Sequence, residues 1–205
     1  MIPFNNGDLM MLINLKERSK PEEIGNKAFN LRRLMGKGMR VPLTWVIPAS
    51  LHSRYLANDL SLVDELWATL QQQLNPDRAY AVRSSADLED SLEHSFAGQF
   101  KTSLNVRGVD SILQAVWSVW AMADSPAVRK YLERLPGDTP GLRMGVMIQE
   151  MVLPEISGVA FSRNPMTGAD EVVVEAVRGD GTALVQEGVT PRRWVNKWGN
   201  WIVLP

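Results

Sequence analysis

The sequence contains no cysteine, so neither a disulfide scaffold nor thiol chemistry is open to this 205-residue chain. It has no apolar run near the ~18 residues of a membrane span. Its start, MIPFNNGDLMMLINLKERSK, lacks the basic and apolar regions of a signal peptide. The chain also has no large excess of positive or negative charge, because its 22 Lys+Arg nearly balance its 23 Asp+Glu. This balance excludes a field that gathers nucleic acid or a membrane surface, and we expect a soluble cytoplasmic protein.

Histidine is scarce as well. The chain has two, His52 and His94, which lie far apart in the sequence. The residues supply no metal-ligand set of Cys or paired His, and nothing in particular supports a Ser-His-Asp arrangement. We therefore predict no metal ligand and no catalytic triad from these residues.

Helical spacing of apolar residues dominates the first part of the chain. It predicts helices near 26–36 and 49–57, an amphipathic helix capped by Ser61, one capped near Asp110 or Ser111, and one opened by Pro126. Short strands are predicted between them at VPLTWVIP, AYAVR and FKTSLNV.

After the linker candidate PGDTPG, residues 136–141, the pattern turns to strands. These are MGVMIQEMV, GVAFS and EVVVEAV, followed by a hairpin of Trp194–Asn196 and Trp201–Val203 around a turn at Lys197–Asn200. We therefore predict an α+β fold with mixed or antiparallel sheets in two lobes, residues 1–140 and 141–205.

The stretch AVRSSADLEDSLEHSFAGQF, residues 81–100, connects two predicted strands. Arg83 at a strand end, followed by small residues with accessible backbone N–H groups, is typical of phosphate recognition. Gly98 allows a ligand to approach the backbone, and Thr102 opens the next strand. The alternative is a surface loop in which Arg83 pairs with a nearby carboxylate, and composition alone favours it.

Lys27 stands at the start of a predicted helix, behind Gly25. Helix amino termini prefer negative neighbours, so a phosphate at this end would resolve the mismatch, although the ammonium group could simply point to water. Gln149 and Met151 fall on one side of a predicted strand and Val152 on the other. Such a segment could hold a purine, but it is more often ordinary sheet core.

Taken in order, these stretches resemble the amino-terminal ATP-grasp domain of the pyruvate phosphate dikinase and phosphoenolpyruvate synthase family, which includes the rifampicin phosphotransferases. The segments that carry the resemblance are IGNKAFNLRRLMGKGMRVPLTWVI, AVRSSADLEDSLEHSFAGQFKTSLNV, IQEMVLPEISGVAFSRNPMTG and TPRRWVN. The similarity extends from Ile24 to Asn196.

The resemblance implies an ATP-dependent phosphotransferase that passes a phosphoryl group to a histidine on a separate swivelling domain, with Mg²⁺ as metal cofactor. It implies catalytic roles for Arg83 and Lys27. The positions that it implies in ATP binding are Lys27, Arg83, Gly98, Thr102, Gln149, Met151 and Val152.

The sequence also departs from the family pattern. Asn26 stands where the family has a second glycine, and Thr182 where it often has glutamate. From the resemblance we expect the metal-binding glutamate, the swivelling domain and the pyruvate-binding barrel beyond Pro205, so that this chain holds an incomplete, inactive part of the ATP site. The alternatives are a short non-catalytic nucleotide- or partner-binding relative, and a rifampicin-phosphotransferase-like ATP domain.

Overall fold

A computed structural model describes residues 10–86, 90–91, 94–95, 102–126, 128, 144–181 and 190–204. The chain divides into two compact units, Met1–Met151 and Val152–Pro205. Within the described segments, no helix has the length and apolar character needed to cross a membrane.

The first unit is a mixture of helices and strands. In chain order its elements are β1 (Ile13–Asn14), α1 (Pro21–Gly36), β2 (Thr44–Ile47), α2 (Ala49–Leu56), α3 (Ser61–Gln73), β3 (Tyr80–Ala86), β4 (Asp90–Ser91), β5 (His94–Ser95), β6 (Thr102–Val106), α4 (Val109–Ala123) and β7 (Met144–Glu150).

An antiparallel sheet organises this unit, with the strand order β1-β2-β7-β3-β6. The central strand β7 is in register with β3 through Arg83↔Met147 and with β2 through Val46↔Met147. Because directly paired residues point to the same side of a sheet, the register assigns each side chain to one of two faces. One face is covered by α2, α3 and α4, and the other by α1; we call them the bundle face and the α1 face.

The bundle face is an apolar core. Leu62, Leu66 and Leu70 of α3 are at most 1% exposed, as the repeat of leucines predicts. Trp120 of α4 is also fully buried, and its Nε1 donates to the carbonyl of Met144 at 3.0 Å, so its polar end is satisfied. The strand residues in this core are Trp45, Ile47, Tyr80, Val82, Ala86, Met144, Val146 and Ile148.

The α1 face has a smaller apolar cluster, formed by Ile13, Leu15, Ile24, Ala28, Val46 and Met147. Helix α1 begins with Pro21 at its first position, and the Glu23 carboxylate accepts a hydrogen bond from the Lys20 N–H at 2.8 Å. The helix is interrupted at Gly25, whose φ of 75° and ψ of 167° are not helical. The segment that follows the break is the helix predicted near 26–36.

The second unit is an antiparallel sheet with the order β11-β10-β9-β8. Its strands are β8 (Ile156–Phe161), β9 (Val172–Arg178), β10 (Arg192–Lys197) and β11 (Asn200–Leu204). The β10–β11 pair confirms the predicted hairpin, because Lys197 pairs with Asn200 across Trp198 and Gly199. Both of these residues have positive φ, 51° and 86°, as a tight type I′ turn requires.

The structure also corrects details of the predicted elements. The residue that caps α4 is Gly108, with φ 77°, and Asp110 lies in the first turn. Helix α3 is preceded by Leu60, so Ser61 is its first residue and not its cap. The helix predicted after Pro126 and the linker at 136–141 lie almost wholly outside the described residues. Strand β7, which follows the predicted boundary at 140/141, belongs to the sheet of the first unit.

Candidate functional site

Arg83 lies in the middle of β3, and its register neighbours are Met147 on β7 and Thr102 on β6. All three side chains therefore share the α1 face. Thr102 is exposed at the start of its strand, whereas Arg83 is half-buried. The structure thus brings together two of the predicted site residues on one face of the sheet.

Among the described residues, the guanidinium of Arg83 lacks one hydrogen-bond acceptor. Its Nε is buried, and no described residue accepts a hydrogen bond from it. A buried donor without an acceptor carries the full cost of its lost hydration, and it is more costly on a charged group. A phosphate oxygen or a carboxylate oxygen suits the geometry of a guanidinium.

Lys27 lies on α1, two residues after the break at Gly25. The break makes the following residues the start of a new helical segment, as the sequence predicted for Lys27. A Cβ built on Gly25 would overlap the backbone carbonyl of Ser85, which is on β3 two residues after Arg83. The segment that carries Lys27 and the strand that carries Arg83 therefore meet at Ser85.

Gln149 also projects from the α1 face, because it pairs with Ala81 of β3 and with Thr44 of β2. Its Nε2 donates to the Thr44 Oγ1 at 2.9 Å, and that hydroxyl donates to the Pro42 carbonyl at 2.8 Å. The carboxamide is therefore held in place by the neighbouring strand.

The remaining predicted residues have different positions. The backbone N–H of Met151 donates to the Ala79 carbonyl at 2.8 Å, which extends the pairing of β7 beyond its last strand residue. Val152 is the first residue of the second unit and is 56% exposed. Gly98 lies outside the described residues. For these three residues, as for the other predicted site residues, a role in ATP binding stays a prediction.

Sequence reasoning did not single out Ser85 and Thr44. Ser85 is fully buried, and Thr44 is 2% exposed. Their signal in the sequence is weak, because a serine beside Arg83 and a threonine in a short strand have many uses. Only the pairing of distant strands shows that both lie beside the predicted site residues.

No metal ligand is assigned within the part of the chain that the structure describes. That part contains no group of three or more His, Cys, Asp or Glu side chains that could hold an ion.

Among the cavities that the described residues form, two contain a side chain whose pKa is shifted, and both lie away from this face. One of about 260 Å³ is between α3 and α4, beside Trp67, Tyr80 and Asp110. Burial raises the pKa of the Tyr80 hydroxyl, which accepts a hydrogen bond from the Asn75 N–H at 2.9 Å. Tyr80 points to the bundle face, so this cavity is separated from Arg83 by the sheet.

The other cavity, of about 390 Å³, lies in the second unit beside Asn164, Glu171, Arg193 and Lys197. The Lys197 ammonium lies 2.6 Å from the Glu171 carboxylate, and Asn164 donates to the same carboxylate at 3.0 Å. The pKa of Glu171 is lowered most by the hydrogen bond from Lys197 and next by that from Asn164. Lys197 and Glu171 are therefore paired with each other. The Arg193 Nε lies 3.4 Å from the Glu175 carboxylate and donates no hydrogen bond to a described residue.

Comparison with known proteins gives the family. The family described as "Pyruvate phosphate dikinase, AMP/ATP-binding domain" matches residues 60–203. An uncharacterized phosphotransferase of Bacillus subtilis is 31% identical over 83% of this chain and 23% of its own length. A probable phosphoenolpyruvate synthase of Methanothermobacter thermautotrophicus is 40% identical over 67% of this chain and 20% of its own length.

A rifampicin phosphotransferase of a Streptomyces species is 44% identical over 55% of this chain and 13% of its own length. The chain thus spans about a quarter or less of these curated relatives. The family match covers well over half of the chain, including Arg83, Thr102 and Gln149. The chain therefore belongs to the pyruvate phosphate dikinase AMP/ATP-binding domain family.

Proposed function

We propose that this chain is the ATP-binding part of a phosphotransferase with ATP-grasp architecture, in which ATP passes a phosphoryl group to a histidine on a separate swivelling domain. The observation that carries the proposal is the position of Arg83 on the α1 face, with a buried Nε that donates to no described residue, in a chain of an AMP/ATP-binding family. Lys27 follows the helix break that packs on the same strand.

The proposed roles follow from the chemistry of phosphoryl transfer. This reaction depends mainly on positioning and on neutralising charge at the phosphate oxygens. Arg83 supplies a planar fork of donors and Lys27 a compact positive charge. In the proposal Gly98 and Thr102 contact the nucleotide, and the adenine lies against Gln149–Val152.

In this proposal the acceptor domains lie in the same protein or in a separate one. The relatives differ in the reaction that their names give, since one is a probable phosphoenolpyruvate synthase and another a rifampicin phosphotransferase. We propose the dikinase type, with a pyruvate-type substrate domain as partner. The rifampicin phosphotransferase has the higher identity of the two relatives, so rifampicin phosphorylation is the second candidate function. The proposed ATP site is the same for both functions.

Substitution of the two cations tests the ATP site. We expect Arg83→Ala and Lys27→Ala each to raise the dissociation constant of ATP, measured by isothermal titration calorimetry, by at least about tenfold. Hydrogen bonds to charged groups contribute roughly 1.5–3 kcal/mol each, which is enough for that change. The thermal unfolding temperature should change little, because both side chains are proposed to face the ligand.

Two exposed cations on or next to α1 provide matched controls. Arg33 lies in the last turn of the helix and Lys37 directly follows it, and both are exposed. Arg33→Ala and Lys37→Ala should leave the ATP affinity unchanged. Unchanged affinity in Arg83→Ala, or an equal loss of affinity and unfolding temperature in all four variants, would contradict the proposed site.

A further inference from the structure

The break in α1 separates two backbone groups that an unbroken helix would join. In an α-helix the N–H of Ala28 donates to the carbonyl of Ile24, four residues earlier. The non-helical backbone of Gly25 lies between these two groups. Ile24 and Ala28 are both 0% exposed, so each group needs another partner in the interior.

The Ser85 hydroxyl is that partner for both groups. It donates to the Ile24 carbonyl at 2.7 Å and accepts from the Ala28 N–H at 3.1 Å. Insertion of a side chain into the hydrogen-bond ladder is a recognised cause of helix kinks. Here the inserted side chain comes from β3, so the hydroxyl replaces one bond within the helix by two bonds between helix and sheet.

The surrounding backbone leaves little freedom at this junction. A Cβ on Gly25 would overlap the Ser85 carbonyl and lie 2.6 Å from the Ser85 Oγ. A Cβ on Gly145 of β7 would lie 3.2 Å from the Ser85 carbonyl oxygen and 3.4 Å from that of Ile24. The two glycines therefore let the helix and two strands come close enough for Ser85 to bridge the break.

We infer that Ser85 is a positioning residue that sets Lys27 relative to Arg83. Lys27 lies between Gly25 and Ala28, and Arg83 lies two residues before Ser85 on the same strand and face. The hydroxyl thus lies two residues from Arg83 along β3, and one of its two partners, Ala28, is next to Lys27. The inference rests on the proposed function, because it assigns Ser85 to the same ATP site.

Loss of the hydroxyl should weaken ATP binding without removing a ligand contact. Ser85→Ala leaves the Ile24 carbonyl and the Ala28 N–H unpaired, so the helix segment that carries Lys27 shifts to recover partners. We expect the dissociation constant of ATP to rise about tenfold, equivalent to one hydrogen bond. Amide hydrogen exchange should become faster in the peptide that contains Ala28.

The test compares the full chain, Ser85→Ala and Val116→Ala by isothermal titration calorimetry with ATP and by hydrogen exchange with mass spectrometry. Val116 is 0% exposed on the bundle face, so its truncation lowers stability without touching the α1 face. We expect Val116→Ala to lower the unfolding temperature and to leave both the ATP affinity and the exchange around Ala28 unchanged.

Unchanged exchange around Ala28 in Ser85→Ala, or faster exchange with unchanged ATP affinity, would overturn the positioning role. The proposed function would still stand if Arg83→Ala weakened ATP binding, whereas no effect in Arg83→Ala would overturn the proposed function itself. If Ser85→Ala does not fold, Ser85→Cys keeps a similar volume with a weaker donor. It should weaken ATP binding about threefold, and unchanged affinity would overturn the inference.

Discussion

The two faces of the first unit's sheet carry different kinds of residue. The bundle face is closed by α2, α3 and α4, and most of its strand residues are buried and apolar. The α1 face is covered by one broken helix and carries Arg83, Ser85, Gln149 and Thr44 among fewer apolar residues. One sheet thus has the larger apolar core on one side and the side chains that we propose to contact ATP on the other.

The largest effect should come from adding a methyl group where α1 meets β3. Gly25→Ala places a Cβ onto the Ser85 carbonyl, at a backbone conformation that is open essentially only to glycine. We expect the free energy of unfolding, measured with urea, to fall by more than about 3 kcal/mol. Such a loss would show that the α1 face contributes to stability through backbone contact.

Gly36→Ala is the matched control for this change. Gly36 ends the same helix, and a Cβ there has open space around it. Alanine is a better helix former than glycine by up to ~1 kcal/mol, so this variant should be as stable as the unsubstituted chain or slightly more stable. Equal losses in the two variants would refute the special role of the Gly25–Ser85 contact.

A core truncation on the bundle face should change stability and nothing else. Leu66→Ala removes a side chain that is 0% exposed, and we expect a loss of about 2–5 kcal/mol in the free energy of unfolding. The ATP affinity of the folded fraction should stay the same. A change in ATP affinity comparable to that of Arg83→Ala would break the division of roles between the two faces.

The smallest effect is expected from a surface network on the bundle side. The Arg54 guanidinium lies 2.7 Å from the Asp59 carboxylate and 2.8 Å from that of Glu65. The hydrogen bond from Arg54 lowers the pKa of Glu65. The pKa of Asp59 is lowered most by the hydrogen bond from Ser61 and next by that from Arg54. The two carboxylates therefore stabilise the folded state at a pH above their ordinary pKa values, 4.5 for Glu65 and 3.8 for Asp59. This stabilisation is lost as the pH falls through the lowered pKa values of the folded state.

Glu65→Gln tests this pH dependence by thermal unfolding at neutral pH and at about pH 3. We expect a small decrease in unfolding temperature at neutral pH and a smaller difference at low pH, because the native carboxylates become protonated there. ATP affinity at neutral pH should not change. If the two chains differed more in unfolding temperature at low pH than at neutral pH, the predicted direction of the pH dependence would be wrong.

Much of the secondary structure follows from local patterns in the chain. The leucine repeat places Leu62, Leu66 and Leu70 in the core, and short apolar runs mark β3, β7 and β9. Helix ends were less predictable, because Pro21–Ile24 form a separate turn before the break, and Gly108 caps α4. These ends depend on single backbone conformations, which periodicity does not report.

Local patterns predict most of the described helices and strands and the motifs that contain Lys27, Arg83 and Gln149, because these depend on neighbouring residues. The short strands β1, β4 and β5 were not predicted. The fold was needed to show that Arg83, Thr102 and Gln149 share one face and that Ser85 joins the broken helix to β3. Strand order and register create these contacts between residues far apart in the chain. Local propensity carries no information about which distant strands pair, so this part of the site required the fold.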